Sequence, residues 1–585
     1  MTRSVRWAWP YSGLTLALVL VAGALAACTN QPPLPRAVDM VDAFIRGVNA
    51  RDAQAIVATF DRRDRRIWTA ARVHRVMARE LKQGGITRFR MVRTGSVPQA
   101  SDDQLRQAKE PMVTHAPYQI TYRSSAARHT VRLHGQLAVP FEGGRWGVGW
   151  SKSVMWPGVT GAIGWHIAYR WPPRASILDR NGNKLAVGSG TSRRYPFHAV
   201  GGTTLGYLGS LSQADLAEAA PGHMAGDLVG ASGLEAGLEP TLAGRPGSRL
   251  EIVGRHDHVI ATVGGKKDHP GHNVKTTLDM RVQAAAEAGY GSVTGGAIVI
   301  DPQTGDLLAV VSSSPIDPNN YVGASGAQPF NRALSGLYPP GSSMKVVTAS
   351  AALDTGKVTA ATRLSGPKEF RGVRNFESES FKTLTFAQAT EFSVNTAFAQ
   401  VALKLGGRTL HRYAGRFGFN RAPALSVGAA TSSFPMPQDE SDLMWGAVGQ
   451  AQDLASPLEM ASVAATVANH GVRMEPRITF ATRPRGTRVI STETAVTMTQ
   501  LMELVVRGGT GTAASIPGVT VAGKTGTAEV DVNGVTKDHA WFVCFAPAEN
   551  PKVAVSVVVE FGGVGGEVAA PRARNILERV LPLVR

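Results

Sequence analysis

Ser342 and Lys345 stand three residues apart in Pro339-Pro340-Gly341-Ser342-Ser343-Met344-Lys345, where two prolines and a glycine give way to an apolar run. A helix from Ser342 through Ala352 puts both side chains on one face, one turn apart. Serine attacks poorly at its free pKa and needs a base. A lysine serves once desolvation or a neighbouring cation removes its proton. The helix start also offers N–H groups and a favourable dipole to a developing oxyanion. Ser393-Val394-Asn395, within Phe392–Ala399, sets a hydroxyl and an amide two residues apart. The first can relay a proton and the second can hold a substrate amide, although a helix cap accounts for the tripeptide taken alone. Gly523-Lys524-Thr525-Gly526-Thr527 falls inside an expected strand. Glycines there mark close approach of a backbone or ligand, and a lysine flanked by hydroxyls suits a carboxylate. None of the three is specific by itself.

The elements around them follow from periodicity. From Gly295 the pattern is α/β: Ala297–Ile300 is an apolar strand, Asp301–Gly305 a turn and Leu307–Val311 its partner. Alanine-rich helices fill much of 383–470. Val519–Val530 and His539–Phe545 are strands joined through Asn533-Gly534, a strong hairpin signal, and Val553–Glu560 adds a third. Cys544 is expected to be a buried strand residue and not a nucleophile. Upstream, Arg174–Gly182 forms a short strand and turn, and Met280–Gly289 a helix. Val38, Val41, Phe44, Ile45 and Val48 recur at helical spacing. Tyr118–Tyr122, Thr130–Leu133, Gln136–Pro140 and Trp146–Trp150 read as strands, with a hairpin at Gly143-Gly144. Helices followed by a bent antiparallel sheet describe a small α+β cone. Its histidines, His115, His129 and His134, are scattered and form no catalytic set.

At 585 residues the chain needs several cores, about three or four. The net charge of +18 admits nucleic acid, an anionic membrane or an anionic polymer as partner. Basic residues are spread out, apart from short clusters such as Arg62-Arg63-Asp64-Arg65-Arg66, and no nucleic-acid-reading motif accompanies them, so nucleic acid is set aside. Arg3 and Arg6, an apolar run from Leu14 to Ala27, and Leu25-Ala26-Ala27-Cys28 read as an export signal, too short for a spanning helix. The small residues before Cys28 resemble a lipobox, which implies lipid on Cys28; the alternative is an uncleaved anchor. Either places the remainder outside the cytoplasm. Residues 29–36 form a proline-rich linker.

Taken together, the order Ser-x-x-Lys, Ser-x-Asn, Lys-Thr-Gly resembles the motif set of serine β-lactamases and penicillin-binding proteins. Residues 286–585 resemble the transpeptidase domain of the latter, also through Asp301-Pro302 with Gly305, Gly449-Gln450 and His539-Ala540-Trp541-Phe542. Ala451 departs from the glycine often found there. Residues 158–285, with 174–182 and 230–247, resemble the pedestal or dimerisation domain of class B enzymes. Residues 37–157 resemble the NTF2-like domain of the methicillin-resistance type. The fold class implied is multidomain α+β: an NTF2-like cone, a β-rich pedestal and an α/β, β-lactamase-like transpeptidase domain.

The resemblance implies a peptidoglycan D,D-transpeptidase without cofactor or metal. Ser342 would attack the penultimate D-Ala carbonyl of a stem peptide, with Lys345 as base. N–H groups of Ser342 and Thr527 would hold the oxyanion, Ser393 would pass a proton and Asn395 would orient the peptide. Lys524, Thr525 and Thr527, with Gly526 between, would bind its carboxylate. β-Lactams would act as inhibitors, and cell-wall or division proteins are expected as further partners. Two rivals stand: a D,D-carboxypeptidase or β-lactamase using water, and a non-catalytic β-lactam sensor or scaffold. The long region before the catalytic domain favours the cross-linking enzyme.

Overall fold

The structure, a computed structural model, describes residues 32–109, 111–324 and 329–584. It divides into two compact units, residues up to 167 with 250–264, and residues 168–249 with 265 onward. No helix among the described residues is long and apolar enough to cross a membrane.

In the first unit the helix Ala37–Ala50 buries Val41, Phe44, Ile45 and Val48, the stripe its spacing predicts, and ends at Arg51 in left-handed backbone. A second helix, Ala70–Gln83, starts where Thr69 Oγ1 accepts from Arg72 N–H, and buries Val73, Met77 and Leu81. Four antiparallel strands follow in spatial and chain order: Ile86–Arg93, Met112–Ser124, Val131–Glu142 and Arg145–Trp146. One face buries Phe89, Met91, Tyr118, Ile120, Tyr122, Leu137 and Val139. Two strand readings need correction. Thr130–Leu133 and Gln136–Pro140 belong to one strand, because Gly135 marks a close approach and not a turn: a Cβ there would lie 2.4 Å from Pro157 Cβ. Trp146–Trp150 is not a full strand. The regular ladder covers Arg145–Trp146; beyond it the N–H groups of Gly147 and Gly149 still donate to Pro140 O and Ala138 O at 2.9 Å, while Val148 bridges Phe60 and a Cβ at Gly147 would lie 2.5 Å from Asp61 Cα.

In the second unit Gly182 turns at φ 92, as Asn181-Gly182 predicts. Nearby, Glu235 is wholly buried. Its carboxylate accepts from Arg174 (2.9 Å), Arg193 (2.7 Å) and Tyr195 (3.1 Å). Ile177, Leu185, Leu205 and Leu234 pack in the same apolar cluster as Met344, Val347 and Phe398.

The centre of this unit is a five-stranded antiparallel sheet, in the order Leu307–Ser312, Gly295–Ile300, Val553–Val559, Val535–Ala546, Ala522–Val532. Alternation assigns its two faces. Ala297, Val299, Phe542, Cys544, Val555 and Val557 pack with the helices Met280–Tyr290 and Gly565–Val580. Ile298, Ile300, Trp541, Val543, Phe545 and Val558 pack with Lys345–Asp354, Pro457–Ala468 and Thr492–Arg507. Strands covered on both faces must be apolar throughout, which is why they read as continuous runs. Asn533 and Gly534 sit at φ 56 and 78, the pair of left-handed residues that a two-residue hairpin requires. Ala522–Val532 is thereby left at the sheet edge, with a strand on one side of its backbone only.

Candidate active site

Ser342 does not open the α-helix directly. Gly341–Met344 forms a tighter 3-10 turn, and the α-helix runs Lys345–Asp354. Gly341 explains the difference: its φ of 52 redirects the chain, and its N–H donates to Gly449 O at 2.9 Å. A Cβ at Gly341 would lie 2.5 Å from Thr527 O, and one at Gly526 would lie 3.0 Å from Ser343 N and 2.9 Å from Pro340 O. The edge strand therefore presses on the serine turn backbone to backbone, as the glycines in that strand predict. This brings the peptide groups of Ser342 and Thr527 to one place. Trp541 Nε1 donates to Pro339 O at 2.9 Å and fixes the same turn to the sheet.

Ser393 lies between the helices Phe386–Glu391 and Asn395–Leu405, at φ 56. A non-glycine residue held there is strained, and such strain persists only where the surroundings enforce it. Here it turns both the carbonyl and the hydroxyl of Ser393 toward Lys345, whose Nζ lies 2.7 Å from Ser393 O, 3.2 Å from Ser393 Oγ, 2.9 Å from Ser342 Oγ and 2.5 Å from Asn395 Oδ1. The amide orientation of Asn395 is fixed independently, because Nδ2 donates to Arg374 O at 2.8 Å.

Donor counting then defines the chemistry. Ser393 O and Asn395 Oδ1 can only accept, so they take the two N–H groups of an uncharged Lys345. Its lone pair is left for the hydroxyl proton of Ser342. The lysine is fully buried, and burial, with the Lys524 charge second, holds its pKa well below 10.5. Lys524, also buried, is lowered to about 7 by desolvation. Its Nζ donates to Ser393 Oγ at 2.8 Å and Thr525 O at 3.1 Å. Ser393 Oγ thus accepts from Lys524 and lies 3.2 Å from Lys345 Nζ, in place to take a proton from Lys345 once that amine is charged.

Thr525 and Thr527 alternate onto the other side of the strand from Lys524. Thr525 Oγ1 lies 2.6 Å from Thr510 Oγ1, and Thr527 Oγ1 accepts from Gly565 N at 3.2 Å, which leaves its O–H free to donate. The structure brings Ser342, Lys345, Ser393, Asn395 and Lys524 through Thr527 together. Cys28 lies outside the described residues. Sequence reasoning passed over Thr510, Arg374 and Gly565. The first two left no signal, since Arg374 acts through its carbonyl. For Gly565 the run Gly562-Gly563-Val564-Gly565-Gly566 was a signal: a Cβ at Gly565 would lie 2.1 Å from Gly526 O.

Residues 295–578 match the penicillin binding protein transpeptidase domain, and residues 185–276 match the penicillin-binding protein dimerisation domain. Peptidoglycan D,D-transpeptidase PbpA of Mycobacterium tuberculosis is 34% identical over 401 residues, 60% of this chain and 79% of that protein. A ceftriaxone acyl-enzyme complex of penicillin-binding protein A from M. tuberculosis superposes with a TM-score of 0.58 at 28% identity, covering 70% of this chain and 98% of that one. Pseudomonas aeruginosa PBP2 in complex with WCK 5153 gives 0.60 at 30% identity, covering 71% and 96%. The chain belongs to the penicillin-binding protein transpeptidases, as a class B member carrying dimerisation and transpeptidase domains, the latter of the β-lactamase-like α/β fold.

Proposed function

We infer that Ser342 is the nucleophile through which this peptidoglycan D,D-transpeptidase forms its acyl-enzyme. The observation that carries the inference is the set of contacts around Lys345, in which two obligate acceptors consume its N–H groups and direct its lone pair at Ser342 Oγ. Lys345 takes the hydroxyl proton as Ser342 attacks the penultimate D-Ala carbonyl of a stem peptide. Main-chain N–H groups of Ser342 and Thr527 stabilise the oxyanion. The proton then passes through Ser393 to the amine of the departing D-Ala. Asn395 orients the peptide, and Lys524, Thr525 and Thr527 bind its carboxylate, whose charge favours protonation of Lys524 by a proton taken up from solvent. An amine from a second stem peptide, deprotonated by the same relay, resolves the ester and leaves a cross-link. β-Lactams acylate Ser342 in the substrate's place.

In this reading residues 37–157 are an NTF2-like domain, 158–285 the pedestal and 286–585 the catalytic domain. Lipid on Cys28 holds the enzyme on the outer face of the cytoplasmic membrane, where wall-assembly proteins are its further partners. The test is labelling by a fluorescent penicillin, present in wild type and lost in Ser342→Ala with an unchanged melting curve. A D-Ala-D-Ala thioester covers the case of weak β-lactam binding, and a wild-type chain that reacts with neither removes the assignment. Incubation with stem peptides then separates acceptors. Cross-linked dimer marks the transpeptidase, free D-Ala alone marks a carboxypeptidase, and rapid release of hydrolysed drug marks a β-lactamase.

A further inference from the structure

Residues 37–157 hold twenty Lys and Arg against ten Asp and Glu, so this one region supplies a net +10 of the chain's +18. The pairing register shows where part of that charge gathers. Arg88 stands directly opposite Arg123, Arg90 opposite Thr121, and Thr121 opposite Arg132. Strand alternation puts these residues on one face, opposite to the buried Phe89, Ile120 and Tyr122, and all four arginines are exposed. Directly opposed side chains have Cβ atoms about 5 Å apart, and like charges so placed destabilise a sheet. An ordinary solvated face intersperses acids among its bases. Here the only acid on the three strands, Glu142, lies ten residues along from Arg132, at about 3.3 Å per residue. Among the described residues none of the four guanidinium groups meets a carboxylate.

We propose that the Arg88–Arg90–Arg123–Arg132 face of this sheet docks on an anionic phospholipid surface. The sign of the charge requires an anionic partner. The four arginines project from an exposed strand face, beneath which mobile lipid phosphates can rearrange. The proposal rests on the reading of Cys28 as the lipidated residue for its geometry: the eight residues 29–36 span at most about 28 Å, which keeps this domain within reach of headgroups. Lipid phosphates would relieve the Arg88–Arg123 repulsion, and the field extends about 8–10 Å at physiological salt.

The test uses the unlipidated chain from residue 29 onward, which keeps every described residue, in sedimentation with vesicles of phosphatidylcholine alone or with about one third phosphatidylglycerol. Each arginine near an anionic surface strengthens partition about fivefold. Wild type should therefore bind the anionic vesicles and not the neutral ones, and release in high salt. The Arg88→Ser/Arg90→Ser/Arg123→Ser/Arg132→Ser variant should lose at least tenfold. A control variant, Arg62→Ser/Arg63→Ser/Arg65→Ser/Arg66→Ser, removes the same charge from another exposed cluster and should lose far less. Equal loss in both variants, no binding to anionic vesicles, or displacement from them by soluble polyphosphate at matched charge would each overturn the proposal. Penicillin labelling and the melting curve report folding. Mass analysis of Cys28 in the native chain tests the lipidation reading separately, so the two can fail apart.

Discussion

Asn395→Asp isolates the role assigned to Lys345. The substitution is isosteric, and it places a carboxylate where Asn395 Oδ1 now stands, 2.5 Å from Nζ. At a separation of about 3 Å and an effective dielectric of about 20, the attraction between carboxylate and ammonium is about 5 kcal/mol. At 1.36 kcal/mol per tenfold that attraction favours the ammonium by more than about 1000-fold, against the depression that burial and Lys524 impose. The base is then protonated at neutral pH, and its lone pair is gone. The second-order rate of acylation by a fluorescent penicillin should fall by at least about 100-fold at pH 7.5, because each unit of missing deprotonation costs about tenfold. The loss should shrink about tenfold per unit as pH rises. An Asp cannot donate to Arg374 O, which adds a cost of about 1–3 kcal/mol to stability, so the melting temperature is followed alongside. A variant that stays folded and acylates within tenfold of wild type, with an unmoved acid limb, would show that Lys345 is not the base.

Lys524→Met trades activity for stability. Lys524 is lowered to about 7 from 10.5, so between those values the unfolded chain binds a proton that the folded chain does not, and stability rises with pH across that window. The penalty is complete below about pH 7, about 5 kcal/mol before the lost bonds to Ser393 and Thr525 are counted. The variant should therefore melt higher than wild type at pH 6, lose that advantage by pH 10, and acylate poorly at both; an equal gain at both pH values in thermal melts would contradict the burial argument. Gly526→Ala drives a Cβ to 2.9 Å from Pro340 O and 3.0 Å from Trp541 Cβ. It should cost about 1–3 kcal/mol and slow acylation far more than it lowers stability, checked by denaturant melts beside labelling rates. Glu235→Leu leaves Arg193 buried without a carboxylate and Arg174 with Glu239 alone, and should cost about 3–5 kcal/mol in urea unfolding, whereas Arg371→Ser, on an exposed pair with Glu440, should change little.

The legible parts of the sequence were those with local causes. Asn533-Gly534 dictated its own turn, the apolar runs at 297–300 and 553–559 had to be strands covered on both faces, and the glycines around Lys524 signalled a close approach. Long-range packing was not legible. Gly135 looks like a break between strands and Gly147 like a strand interior, yet the first lies within a continuous strand against Pro157 and the second sits where the regular ladder gives way to a bridge with Phe60, its Cα side against Asp61. Only the fold tells them apart. The same holds in the site. Ser342 and Lys345 are neighbours in sequence, but the acceptor that fixes Asn395 is the carbonyl of Arg374, which its side chain could not announce. The strain at Ser393 is likewise invisible in its identity.

Two lysines within reach of one serine hydroxyl cannot both carry a proton cheaply, and each is depressed in the free enzyme, Lys345 partly by Lys524. Protonation of one therefore opposes protonation of the other, and the pair titrates as a unit. A substrate carboxylate at Lys524 breaks the tie. It draws the proton to Lys524, and the repulsion that follows holds Lys345 neutral, so that carboxylate recognition prepares the base it will use. A β-lactam methyl ester, which has no carboxylate charge, should acylate more slowly than the acid, and its rate should depend on pH through a higher apparent pKa for the base. The comparison is made on the rate profile and not on affinity, because a contact that only anchored substrate would weaken binding at every pH alike. Profiles of the acid and the ester that superpose after scaling would show that Lys524 anchors the carboxylate without tuning Lys345.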